Sequence, residues 1–195
     1  MTDAGEGAGG ADADRGADAA GGADAAGAAH AVGALVVDAV ARLREHSARD
    51  EVLADYVPER RTLGIPRAAR MAPIGRVWRL GVLLLAPDGR LSATGRVVRA
   101  EREARRSTPA AAIAEQRAYR AAAIKGGIAE GETVNFDTVP IDLAELGRSA
   151  ASGPLVVVGD EVFVRWSPTQ PDALTAFDRY LADRVELLAN PPSGA

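Results

Sequence analysis

Pro87-Asp88-Gly89 separates two extended runs, 76–86 and 90–102, and suits a type I turn closed by a glycine in left-handed geometry. A tight turn of this kind makes its flanking strands antiparallel neighbours and sets their register. Ala86 then faces Arg90, Leu83 faces Ala93, and Gly81 faces Gly95. Val77, Leu83, Leu85, Leu91, Ala93 and Val97 share one face, while Trp78, Leu80, Val82 and Leu84 mix with Ser92, Thr94 and Arg96 on the other. The facing glycines leave a shallow notch in which a helix can seat. A chain built round this hairpin must supply helices to cover its apolar face.

Apolar residues at Val32, Leu35, Val36, Ala39, Val40 and Leu43 recur at three-to-four spacing and predict a helix over 29–46. Val52, Leu53, Tyr56 and Val57 follow a Ser47/Asp50 capping pair and predict a second, short helix ended by Pro58. Residues 58–75 contain Pro58, Gly64, Pro66, Pro73 and Gly75 and read as a long, partly irregular basic connection. Thr108-Pro109 opens an alanine-rich helix to 124, stopped by Gly126-Gly127. Residues 133–139 have strand character, and Asp142 with Glu145 marks a short helix. Runs 155–158 and 161–166 form a second hairpin through Gly159-Asp160. Leu174, Phe177, Leu181, Val185 and Leu188 predict a final helix over 171–189. The expectation is an α+β fold: a mostly antiparallel sheet of about five strands, helices packed on one face, too few strands for a barrel.

The first 29 residues hold no Leu, Ile, Val, Phe, Trp or Tyr, and GADAAG at 16–21 repeats at 22–27. Such a stretch cannot offset an ordering entropy of roughly 1–2 kcal/mol per residue. It is expected to be a disordered acidic tail ahead of one α+β domain over 30–190. It lacks the basic start and apolar centre of a signal peptide. The longest apolar run, 82–86, is far shorter than the ~20 residues a bilayer requires. With no cysteine in the chain, these features predict a soluble cytoplasmic protein with no membrane partner.

Charge is unevenly placed. Twelve arginines crowd residues 60–106 against Asp88, Glu101 and Glu103, a net of +9 within a chain of net −4 that owns one lysine. Arg60, Arg61, Arg67 and Arg70 precede the hairpin; Arg99, Arg102, Arg105 and Arg106 follow it. If the two groups converge they make an anion-binding surface for phosphate or nucleic acid, since guanidinium presents paired planar donors. Trp78 is the only aromatic residue in the segment, which argues against recognition of single strands by stacking. Arg76, Arg79 and Arg96 alternate with apolar residues and need internal partners, for which Asp137 and Asp142 are the candidates. Asn135 and Asp137, two apart on a strand, are the best-placed polar pair: they are the candidate pocket residues, with buried partnership to the arginines the favoured role over acid–base work.

Two stretches invite comparison with known families. Gly126 to Thr133 (GGIAEGET) resembles the opening of a Nudix box, with Gly126 and Glu132 at the family's spacing. That resemblance implies a glutamate-bearing helix holding Mg²⁺, yet Asn135 to Pro140 follows instead, strand-like and without those carboxylates. Pro66-Arg67-Ala68-Ala69-Arg70, Gly75 to Leu85 and Gly131 to Asp137 together resemble a small actinobacterial-type family whose members sometimes carry the name glutaminase. The resemblance implies an amide hydrolase but supplies no catalytic residues. Serine-type glutaminases use Ser-x-x-Lys, and Lys125 has Ala122 in the serine's place. His30 and His46 belong to no Ser-His-Asp set, no cluster has zinc spacing, and no cofactor motif or metal site is recognisable. The residues therefore predict a non-catalytic binding or interaction domain with an arginine-rich, anion-facing surface. The rival, carried by resemblance alone, is an amide hydrolase of the glutaminase kind.

Overall fold

The computed structural model describes residues 11–62, 65–102, 111–167, 169–170 and 172–192. Its elements are α1 (Ala11–Glu45), β1 (Glu51–Val57), β2 (Arg60–Thr62), β3 (Ile65–Arg67), β4 (Arg70–Leu80), β5 (Leu83–Leu85), β6 (Leu91–Ala93) and β7 (Arg96–Arg99). Then come α2 (Ala111–Lys125), β8 (Thr133–Phe136), β9 (Val139–Pro140), α3 (Leu143–Ser149), β10 (Ala151–Ser152), β11 (Leu155–Val158), β12 (Glu161–Arg165), β13 (Leu174–Ala176) and α4 (Phe177–Ala189). The fold class is α+β, as the sequence predicts, with more strand than it suggests.

The first helix buries the expected stripe of Val32, Val36, Ala39, Val40 and Leu43, but it reaches back to Ala11. Ala25, Ala28 and Ala29 are also buried, so packed structure begins before residue 30. Where Gly147 of α3 meets α1, a β-carbon would lie 3.3 Å from the Cα of Ala26. Alanine and glycine contribute little area but let two helices approach closely, a gain that a count of large apolar residues misses. Residues 1–10 of the expected tail lie outside the described residues.

The expected short helix at 52–57 is instead strand β1, pairing with β4 from Glu51↔Val77 to Val57↔Arg70. Its first residues alternate in burial, with Val52 and Ala54 inside. Six residues rich in valine and tyrosine satisfy either period; a partner strand decides the matter.

The predicted strand 76–86 also divides. It turns at Gly81-Val82, so that Trp78↔Leu85 and Leu80↔Leu83 pair across β4 and β5. Gly81 takes φ 68, which an L side chain adopts at a cost. Beyond the turn the expected register holds, with Leu83↔Ala93 and Leu85↔Leu91. The turn puts Trp78 and Leu80 on the face of Leu83, Leu85 and Leu91, against α1, α3 and α4. Val77 lies on the opposite face with Leu84 and Ala86, and Val97 is exposed.

Seven strands follow the order β7-β8-β1-β4-β5-β6-β9. Its two ends are covalently continuous: β6 runs into β7 through Thr94-Gly95, and β8 into β9 through Asp137-Thr138. Ala93↔Val139 and Arg96↔Phe136 keep one antiparallel register across that gap. The ladder therefore returns on itself as a five-stranded ring, β1, β4, β5, β6/β7 and β8/β9, contrary to the expectation that the chain is too strand-poor to close. Asp137 turns the corner at φ 53. A β-carbon at Gly95 would overlap the backbone of Phe136 and Asp137, so only glycine permits this crossing. One pairing, β1 with β8, is parallel.

Helices cover the ring on two sides rather than one. Against β1, β4, β7 and β8, α2 packs Ala122 and Ala123 on Val52, Met71, Val98, Val134 and Phe136. On the other side α1 and α4 sandwich the β4–β5–β6 corner together with a four-stranded sheet, β10-β11-β12-β13. The hairpin through Gly159-Asp160 and the Asp142 cap of α3 are as the sequence predicts. The last helix starts at Phe177, because Leu174–Ala176 pairs with β12 as a strand. The predicted start of the alanine-rich helix, Thr108-Pro109, lies outside the described residues.

Candidate anion-binding arm

The arginines divide into those used by the fold and those it leaves available. Arg76 Nη2 donates to Asp50 Oδ1 at 2.6 Å and Nη1 to Glu132 Oε2 at 3.2 Å. The hydrogen bond to Asp50 is the main reason its guanidinium is held above its ordinary value. Arg79 Nε donates to Glu51 Oε2 at 3.0 Å and Nη2 to Asn135. Asn135 in turn donates to Glu51 at 2.7 Å. This buried asparagine is thereby a partner for an arginine and a glutamate.

Arg96 donates to Glu115 at 2.6 Å and lies 5.2 Å over the Tyr119 ring. Hydrogen bonds from Arg96 and then Tyr119 hold Glu115 below the usual carboxylate range. The bond to Glu115 raises the Tyr119 phenol. Asp137, the other pocket candidate, has left the strand at the ring's corner, half-exposed and 3.7 Å from Arg96 Nε. Asn135 and Asp137 therefore do not share a pocket: the left-handed turn sends them apart. Asp142 caps α3 by accepting from the Ala144 and Glu145 amides. It lies 3.9 Å from Arg148 and serves no strand arginine.

Arg60, Arg61, Arg67 and Arg70 behave differently. All four are exposed, and none has an acidic partner among the described residues. Arg60, Arg61 and Arg67 lie on a two-stranded ribbon that the sequence mistakes for an irregular connection, and Arg70 opens β4 at its base. Tyr56↔Met71 and Val57↔Arg70 end the body of the β1–β4 ladder, and Arg60↔Arg67, Arg61↔Pro66 and Thr62↔Ile65 continue its register beyond Pro58. Among the described residues, strands β2 and β3 pair only with each other, so the ribbon is an arm carried past the ring. Its signal was the symmetry of Arg60-Arg61 and Arg67 about Leu63-Gly64, hidden by prolines that ordinarily argue against a strand.

Among the described residues the two arginine groups do not converge. Arg99 pairs with Thr133, and the next residue, Val134, pairs with Val52, which places Arg99 beside the start of β1. Arg60 lies beyond the end of β1, nine residues further along, or roughly 30 Å at strand rise. Arg102 is drawn to Glu130 at 3.4 Å, and Arg105 and Arg106 lie outside the described residues. The glutamates of the Nudix-like loop are both engaged with arginines, Glu130 with Arg102 and Glu132 with Arg76. Lys125 ends α2.

The described surface also has a 750 Å³ cleft on the ring, whose lining mixes Leu53, Val77 and Ala86 with Asp55, Arg76, Asp88 and Arg90. It has no concentration of like charge. No family model, curated protein or solved structure matches the chain. The chemistry of the site therefore rests on the α+β ring and its basic arm.

Proposed function

We propose that this protein is a soluble, cytoplasmic, non-catalytic binding domain that holds polyanions on the β2–β3 arm. One contrast carries the reading: the fold neutralises Arg76, Arg79 and Arg96 with carboxylates, yet among the described residues Arg60, Arg61 and Arg67 on the exposed ribbon and Arg70 at its base have no acidic partner. Like charges directly opposite in a ladder are destabilising, and Arg60↔Arg67 is such a pair. A phosphate-bearing partner converts that cost into charge-assisted hydrogen bonds.

The test replaces Arg60, Arg61, Arg67 and Arg70 together by serine. Wild-type protein should be retained on heparin at low salt and released as salt rises, while the variant flows through with a melting temperature no lower than the wild type's. Retention of the variant, or no retention of the wild type at low salt, removes the reading.

A further inference from the structure

We propose that the partner of the arm is double-stranded DNA, with the β2–β3 ribbon entering its major groove. The proposal rests on the polyanion reading above and adds to it the shape of the ligand. Two paired strands lie ~4.8 Å apart and form a two-stranded β-ribbon. The B-form major groove, about 12 Å wide, admits this, whereas the minor groove, about 6 Å wide, does not without deformation. The arm from Pro58 to Thr62 reaches about 13 Å at strand rise, further than the groove's depth of about 8.5 Å. Its register is continuous with the β1–β4 ladder, so the ring carries the arm in line with two of its strands.

Charge placement suits this geometry. Arg60 and Arg67 lie opposite each other and share a face; Arg61, one residue on, projects from the other face. Guanidinium groups on both faces can meet both phosphate walls of a groove at once. Arg70, where the ribbon leaves the body, is positioned for the backbone at the rim. Double-stranded RNA offers no equivalent site, because its major groove is too deep and narrow for side chains to read. Single strands lack a groove, and the described arm residues 58–61 and 66–70 include no aromatic ring for stacking.

The full chain is titrated against a fluorescent 20-base-pair DNA duplex, its single strand, the same sequence as RNA duplex, and heparin. Duplex DNA should bind at least tenfold tighter than single strand or RNA duplex. Four phosphate contacts give a log–log salt slope near about −3.6, so affinity should drop roughly a hundredfold between 50 and 200 mM salt. R60S/R67S should lower the slope by about 1.8 with a melting temperature no lower than the wild type's. A major-groove dye should displace the protein and a minor-groove dye should not. Equal affinity for all four polymers overturns the groove proposal while leaving the polyanion reading intact. Absence of binding to any of them at 50 mM salt overturns both. The arginines could instead serve to keep exposed ribbon edges from pairing between molecules. Serine variants that self-associate, with duplex affinity and salt slope unchanged, would establish that role and overturn the proposal.

Discussion

Tyr180 shows how one side chain ties distant parts of the chain together. Its hydroxyl accepts from the Val82 amide at 2.9 Å and donates to the Leu80 carbonyl at 3.1 Å. It thus clasps both arms of the β4–β5 turn from helix α4, while Arg184 lies 5.3 Å from its ring. The turn offers no room at Gly81, where a β-carbon would overlap that hydroxyl. The sequence suggests that Gly81 seats a helix, and it does, although it faces Tyr180 and not Gly95. Tyr180→Phe should cost about 1–3 kcal/mol by leaving two backbone groups without their partner. Gly81→Leu should cost at least as much, from overpacking of roughly 1–3 kcal/mol plus left-handed strain. In a double-mutant cycle read by urea denaturation, Gly81→Ala should cost less in the Tyr180→Phe background than in the wild type. Additive costs would mean the hydroxyl is not what excludes a side chain.

At the scale of elements, α1 exposes the limit of reading composition. Among the described residues, 25–45 of this helix are long and apolar enough to cross a bilayer by length and composition. Its Val32, Val36, Val40 and Leu43 are instead buried against the ring and the second sheet. The boundary at residue 29 rested on the absence of large side chains, and Ala25 is buried all the same. A chain starting at Ala20 should match the full-length melting temperature. A start at Ala28 should lose roughly 1 kcal/mol of packing and about 2–4 °C. Equal melting of both would restore the boundary the composition suggested. Strand β1 teaches the converse: Val52, Leu53, Tyr56 and Val57 fit either period, and β4 chose.

For the molecule as a whole, acid should be the weak flank. Glu115 beside Arg96, Asp88 accepting from the Arg90 amide, and Glu145 accepting from Ser149 all sit below their ordinary values. A carboxylate depressed in the folded state stabilises fully above its unfolded value, about 4, and loses that contribution as pH falls through the lower folded value. The urea midpoint should therefore be level from pH 7 to about 5 and decline below about 4. Because these groups are exposed, the decline should be shallow and weaken in salt. Glu115→Gln should flatten part of it. A midpoint that rises on acidification from pH 4 to 3 would contradict this account.

Local residues determined much by themselves. Pro87-Asp88-Gly89 set the β5–β6 register, Asp142 started α3, Gly159-Asp160 made a hairpin, and Asn135 was legible as an arginine's partner. Each of these depends on contacts within a few residues or on a charge that must be satisfied. Tertiary structure alone decided that β1 is a strand, that β4 breaks at Gly81, and that the ladder closes into a ring. It also decided which arginines are available. Arg60 and Arg79 are identical as residues; one faces Glu51 only because β1 lies beside β4, the other extends past the last strand that could neutralise it. Which distant charges meet is a fact of three dimensions, and spacing along the chain does not encode it.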